Sequence, residues 1–241
     1  MNRKVFNFLH NWACKRRLNR VLPTMEEELQ EYFKGSTTTG TQPITLWLAV
    51  KTIFDTKPRM ILESGTGASS IVLSLAIKEL KLRDPSYDCK IISMESVKEW
   101  YDIAKANLPD HHKDTVKILY GPREKYEVSM FRGYIHSNIP LGEYDFVFLD
   151  GPDFNDERGT SYCADALYVY EKSGKRPLCG VFDGRASSVF VIQTLFGKHA
   201  IKYFAPSVAG TFKLGFEKSY EKFNTTDFKN QLTGGLYLKT K

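Results

Sequence analysis

The chain is predicted to fold as an α/β protein. The expected architecture is a doubly wound, mostly parallel sheet of seven strands with a final antiparallel hairpin, preceded by an N-terminal helical extension. Three observations predict it. From residue 59 onward, short apolar runs alternate with longer amphipathic segments, the rhythm of strand–helix units. The apolar runs do not alternate internally: YDFVFLD, Tyr144 to Asp150, reads as a strand covered by helices on both faces. The first run ends in Glu63-Ser-Gly-Thr-Gly-Ala-Ser69, a glycine turn between a strand and a helix. In such sheets ligands bind at the carboxyl ends of the strands.

Element by element, Val5, Phe8, Leu9 and Trp12 recur at helical spacing ahead of a basic run, giving a first helix over residues 3–21. Pro23 ends it. Thr24 is expected to cap a second helix opening with Glu26, Glu27 and Glu28, where acids suit the helix dipole. Residues 35–41 read as a polar loop, and Pro43 opens a largely apolar third helix. Residues 1–40 are therefore expected to form an extension to a domain spanning 41–241. Within the domain, strands are expected at 59–64, 89–94, 115–120, 144–149 and 178–182. Helices are expected at 69–81, 97–108, 123–131, 161–173 and 186–196. After residue 198 the rhythm changes, and AIKYFAP and TFKLGFEK, separated by Ser-Val-Ala-Gly, read as the hairpin.

Composition is that of an ordinary folded domain, 42% hydrophobic and 26% charged over 241 residues, with no apolar run near the ~20 residues of a membrane span. Cys14, Cys89, Cys163 and Cys179 are scattered without metal-ligand spacing, as expected of reduced thiols in a cytoplasmic protein. Asn224-Thr-Thr226 matches a glycosylation sequon, but no secretory signal accompanies it. The net charge of +6 resides in the extension, where Arg3, Lys4, Lys15, Arg16, Arg17 and Arg20 stand with no acid before residue 26. Setting those six aside leaves 28 basic residues against 28 acidic ones, so the body is neutral and gives little support to nucleic-acid binding. An apolar stripe beside a basic run is expected either to lie peripherally on an anionic membrane or to pack on the protein's own sheet or a sister subunit.

The glycine turn narrows the ligand. A dinucleotide fingerprint needs a third glycine where Ser70 stands and an acid about 20 residues on, whereas Glu95 is 28 residues past Gly67. A P-loop needs a Lys-Ser/Thr that this turn lacks. Glu63 would repel a pyrophosphate yet suits the cationic methionine end of S-adenosylmethionine (SAM), and Glu95 can accept both hydroxyls of an adenosine ribose.

Further strand ends complete a series: Glu95-Ser96 after the second, Gly121-Pro122 after the third and Asp150-Gly-Pro-Asp153 after the fourth. This series resembles the class I SAM-dependent methyltransferases, which share a Rossmann-like fold, and the resemblance covers about residues 41–217. It implies that Glu63, Gly65, Thr66, Gly67 and Ser69 hold the amino-acid part of SAM. Glu95 and Ser96 would hold the ribose, Gly121 and Pro122 would lie by the adenine, and Asp150 would border the cofactor.

For the acceptor, base-methylating members of that class resemble one another in a (D/N)PP(Y/F) stretch whose aromatic stacks on a flipped base. Here Asp150-Gly-Pro-Asp153 has no aromatic in register, with Phe154 one place late, so base methylation is disfavoured. The chain is more similar to catechol, caffeoyl-coenzyme A and glycan O-methyltransferases. The likeness lies in Gly40-Thr-Gln42 leading to Trp47, in VFLD ending at Asp150, and in GVFDGR around Asp183. It implies an oxygen acceptor: a sugar hydroxyl of a glycan or glycolipid precursor first, a small phenol second. A methyltransferase fold serving only as a SAM-binding subunit is a third reading. Asp150 and Asp183 would hold Mg²⁺, although Gly184 replaces the asparagine ligand of that family. Alternatively Asp150 or Asp153 is a metal-free general base, with Arg185 and Gln42 gripping the acceptor, or Asp183 merely caps the next helix. His111 and His112 are expected to be solvated, and His10, His136 and His199 show no partner by spacing.

Overall fold

The computed structural model describes residues 3–36, 41–153, 155–156, 159–204 and 207–216, without the side chains of Arg3, Lys4, Asp156 and Thr160. Gly40, Phe154 and the Asn224–Thr226 sequon lie outside the described residues, and the polar segment 153–160 is described only in part. The chain runs α1 (Arg3–Val21), α2 (Met25–Gly35), α3 (Pro43–Thr56), β1 (Met60–Ser64), α4 (Ala68–Arg83), β2 (Lys90–Glu95), α5 (Lys98–Asn107), α6 (Asp110–Lys113) and β3 (Val116–Tyr120). It continues through β4 (Arg123–Val128), β5 (Phe131–His136), β6 (Phe146–Leu149), β7 (Asn155–Asp156), β8 (Gly159–Thr160) and α7 (Asp165–Lys172). Then come β9 (Leu178–Asp183), α8 (Ala186–Phe196), β10 (Ile201–Phe204) and β11 (Ala209–Leu214).

Seven strands form one sheet in the order β10-β11-β9-β6-β1-β2-β3. The five from β9 to β3 are parallel; β11 runs antiparallel to β9, and β10 antiparallel to β11. The order reverses between β1 and β6, which opens a crevice above their carboxyl ends. The continuous apolar run has its reason here. Phe146 and Phe148 pack into the core under α1 to α5, while Val147 and Leu149 pack into the core on the α7–α8 face. Burying each such phenylalanine contributes about 1.5–3 kcal/mol.

One predicted helix is a hairpin. Residues 123–131 form β4 and the turn into β5, with Arg123 opposite His136 and Val128 opposite Phe131. Arg, Glu and Lys favour helix on their own, but tertiary packing overrides that preference. Val128, Ile135 and the half-buried Tyr126 join the core on the α7–α8 face, and Ser129 turns the chain with a left-handed φ of 56°. The hairpin is stitched to the approach of α7: the Tyr134 amide donates to the Tyr162 carbonyl and the Ala164 amide to the Tyr134 carbonyl.

The extension behaves differently on its two faces. Leu18, Leu22, Met25 and Tyr32 enter the same core as Ile53 and Ile71. Thr24 occupies the N-cap position of α2 without donating or accepting a side-chain cap bond. Val5, Phe8, Leu9 and Trp12 do not pack on the sheet: they are exposed at 50%, 70%, 49% and 52%, which removes that reading of the stripe. No described helix is long and apolar enough to cross a membrane.

Candidate functional site

The expected site residues other than Gln42 and Asp153 lie at or just beyond the carboxyl ends of β1, β2, β3, β6 and β9. Gly65 leaves β1 with a φ of +94°, and a Cβ there would lie 2.9 Å from the Gly151 amide, so only glycine lets the β1 and β6 turns touch. Gly121 is equally crowded, since a Cβ would sit 2.2 Å from the Ser137 carbonyl oxygen. The turn is held from below. Ser69 Oγ donates to Glu63 Oε1 at 2.6 Å and Ser70 Oγ donates to Oε2. Thr66 Oγ1 and Ser70 Oγ lie 3.3 Å apart. Glu63 is wholly buried, and burial pushes its carboxyl up to about 7 against the lowering effect of the serine hydroxyls.

At the β2 tip Glu95 is nearly buried. Its Oε1 accepts from the Val97 amide at 2.8 Å, and its carbonyl accepts from the Gly121 amide at 2.9 Å. Ser96 beside it is half-buried, and Pro122 is exposed with its carbonyl accepting from the Ser137 amide. A residue not expected at the site joins from the extension. Tyr32 of α2 is buried close enough to the Glu63 and Glu95 carboxylates for them to raise its hydroxyl, adding to the larger effect of burial.

The β6 and β9 side of the crevice centres on Asp150, Asp183 and Arg185. The Arg185 guanidinium lies between the carboxylates, with Nη2 3.7 Å from Asp150 Oδ1 and Nε 3.2 Å from Asp183 Oδ1. The second contact is an ion pair without aligned hydrogen-bond geometry. Arg185 also donates from Nη2 to the Asp150 carbonyl and from Nη1 to that of Pro152 at 3.2 Å, strapping down the cis Gly151–Pro152 turn. Thr41 Oγ1 donates to Asp150 Oδ2 at 3.2 Å. Burial, followed by the charge of Asp183 and hydrogen bonding with it, pushes Asp150 up to about 8, so Asp150 holds its proton near neutrality. Both side chains keep about a third of their surface exposed, Asp150 32% and Asp183 30%.

Several expectations change on this geometry. Mg²⁺ seeks near-octahedral oxygen ligation. Here it would compete with a guanidinium already set between the two carboxyl groups, and Gly184 offers no side-chain donor. The residues present do not fit the ion. Asp183 does not cap α8, whose N-cap position is Arg185 and carries no side-chain cap bond. Arg185 itself is committed to the protein. Asp153 is exposed and turned away into its own loop, its Oδ1 accepting from the Asn155 amide at 3.1 Å. Gln42 is exposed at the start of α3, where its carbonyl accepts the first helical amides.

Three histidine expectations are also overturned, the first at His10, whose Nδ1 lies 3.0 Å from Ser207 Oγ. His112 is 1% exposed rather than solvated. His136 has a partner that spacing hid: its Nδ1 lies 2.6 Å from Asp165 Oδ2 and its amide donates to Oδ1 at 2.9 Å. Ser64 Oγ, at the β1 tip, donates to the same Asp165 Oδ2. Asp165 thus ties β1, β5 and α7 together directly beneath the crevice, and the Cys163 thiol donates to the Gly151 carbonyl beside them at 2.6 Å.

No family model matches the chain, and no curated protein matches it. Solved structures do match. The SAH-bound methyltransferase PaMTH1 of Podospora anserina is 18% identical, with a TM-score of 0.45 over 72% of this chain. That match spans 65% of the Podospora protein, just under two thirds of its length. A SAM-dependent methyltransferase from Aquifex aeolicus is 13% identical, with a TM-score of 0.42 over 71% of this chain and 90% of that one. The METTL16 methyltransferase domain is 14% identical, with a TM-score of 0.42 over 75% and 70%.

Proposed function

We propose that this chain is a SAM-dependent methyltransferase acting on an oxygen acceptor, most simply a sugar hydroxyl of a glycan or glycolipid precursor. The observation that carries the reading is the alignment of the Glu63–Gly67 turn, Glu95, Gly121 and Asp150 along one edge of a parallel sheet at its reversal point. Glu95 has an oxygen left for the ribose hydroxyls, the Gly65–Gly67 turn offers its backbone to the methionine part, and the turn at Gly121 and Pro122 stands beside the place of the adenine. When bound, SAM supplies an electrophilic methyl group on sulfur. The chain's task is then to align the acceptor oxygen and take its proton. The exposed edge of the Asp150–Asp183 pair is the group for that proton, with Arg185 holding both carboxylates in place. The acceptor's O–H bond breaks to the carboxylate as its oxygen gains the methyl group, leaving a methyl ether and S-adenosylhomocysteine.

Calorimetry tests the cofactor. SAM and S-adenosylhomocysteine should bind and NAD should not. Glu95→Ala should weaken SAM binding by about 1.5–3 kcal/mol, the range for a hydrogen bond to a charged group. NAD binding without SAM binding would overturn the proposal. A binding subunit without turnover is favoured by one observation, the commitment of Arg185 to both carboxylates. SAM binding without methyl transfer across sugar and phenol acceptors would select it.

The extension fits a lipid-linked acceptor. Its exposed apolar stripe stands beside the chain's excess of cations, with Arg16 stacked 4.8 Å over Trp12, a pairing that suits an anionic lipid surface.

A further inference from the structure

Away from the crevice, at the edge of the sheet where strands begin, three donor groups meet in a way the methyltransferase reading does not use. Glu28, in the first turn of α2, faces His111 and His112 of α6. Its Oε2 lies 2.8 Å from His111 Nε2 and 2.9 Å from His112 Nε2, and one ligand atom from each of the three residues falls within 4.8 Å of the others. The two imidazoles are tilted by 42° with centroids 4.3 Å apart, so consecutive residues present the same ring nitrogen to one oxygen.

We propose that Glu28, His111 and His112 bind one divalent transition-metal ion of the zinc class, which staples the N-terminal extension to the domain. Zinc takes imidazole nitrogen and carboxylate oxygen at about 2.0–2.2 Å, which in a tetrahedron puts neighbouring ligand atoms about 3.3 Å apart. The two Glu28–imidazole separations, 2.8 and 2.9 Å, need to open by only about half an ångström, and the two imidazole nitrogens already lie within 4.8 Å of each other. His112 carries the outer contact that ligating histidines use: its other nitrogen, Nδ1, lies 2.8 Å from the Ser74 hydroxyl of α4, which fixes the ring. Burial differs usefully across the cluster. His112 is 1% and Glu28 14% exposed, whereas His111 is 50% exposed and leaves an entry path and a fourth position for water. Ligation uses the lone pair of each Nε2, so the proton of each neutral ring sits on Nδ1, and in His112 it is donated to the Ser74 hydroxyl. Two imidazoles and one carboxylate select zinc, nickel or copper over magnesium and calcium, which prefer all-oxygen shells. Tyr32, one helical turn further along α2, is the residue buried beside Glu63 and Glu95, so the staple also fixes the wall of the crevice.

The test uses the untagged full chain stripped with EDTA, titrated with zinc chloride and separately with magnesium chloride, and followed by calorimetry and thermal unfolding. Zinc should bind at one equivalent and raise Tm, and magnesium should do neither. Loss of an outer partner alone costs 10–100-fold in metal affinity, so His111→Ala should weaken zinc binding by about a hundredfold or more. That variant removes a half-exposed ring and leaves the core intact; its circular dichroism should match the wild type. Glu28→Gln, which keeps a hydrogen-bonding side chain, should also lose the zinc-dependent rise in Tm. The proposal is overturned if zinc does not bind at one equivalent, or if both variants bind it as the wild type does. Zinc held instead by the buried thiols of Cys14, Cys89, Cys163 and Cys179 would give that second result.

Discussion

Replacing Glu63 with glutamine isolates the carboxylate buried beneath the glycine turn. Glu63 has no exposed surface, and burial raises it from 4.5 to about 7, even with Ser69 and Ser70 donating to its oxygens. A raised value means that the folded chain holds this proton more tightly than the unfolded chain does. The stability present below pH 4.5 is therefore lost as pH rises through about 7. With those two values, linkage gives a loss of about 2.5 kcal/mol between pH 5 and pH 8.5. Glutamine keeps the shape and one acceptor oxygen but carries no charge, so Glu63→Gln lacks this slope. Asp150 titrates in an overlapping window, but both proteins carry it, and it cancels in the difference. Urea unfolding of both proteins across pH 5 to 8.5 measures that difference. The variant should gain about 2.5 kcal/mol on the wild type over the range. A difference independent of pH would refute the reasoning. So would a variant that loses ground as pH rises, since the serine hydroxyls would then outweigh burial and hold Glu63 as an anion.

Methyl transfer should rise with pH through about 8 as Asp150 gives up its proton. Asp150→Asn should remove that limb and lower kcat by about 10²–10⁴-fold, the span for a general base, and a wild-type profile flat from pH 6.5 to 9 would exclude the pair. In flotation assays the full chain should rise with vesicles containing phosphatidylserine at low salt but not at high salt, and not with phosphatidylcholine alone. Phe8→Ser with Leu9→Ser should abolish this; sedimentation as a dimer that the same variant splits would instead give the stripe to a second copy of the chain.

Much of the fold is legible because it follows from local rules. The expected strand at 144–149 and the observed Phe146–Leu149 agree because a strand buried on both faces must be apolar at successive positions. The expected helix at 186–196 is the observed α8, since its apolar residues recur at helical spacing. The 123–131 segment fails for an equally definite reason. REKYEV carries helix-favouring residues, and its strand character lies in what Val128 and Ile135 touch across the sheet. The partners of Val128 in that contact lie outside the segment.

The site divides along the same line, between residues that meet a ligand and residues that hold one another. Gly65 was recognisable because its demand is local: a positive φ at a strand-to-helix turn admits glycine and little else. Arg185 was not, because a cation two places after an acid is equally able to face an acceptor or to fold back. Its role is decided by Asp150 and the Pro152 carbonyl, which arrive from a turn more than thirty residues earlier. His136 and Asp165 are the stronger case, 29 residues apart on a hairpin and a helix. Their pairing exists only because the hairpin brings β5 against the start of α7, so a helix expected at 123–131 leaves the buried network under the crevice without its partners. Glu28 and the two histidines, more than eighty residues apart, follow the same rule. Groups that act by pairing with one another across the fold cannot be read until the elements carrying them have been placed.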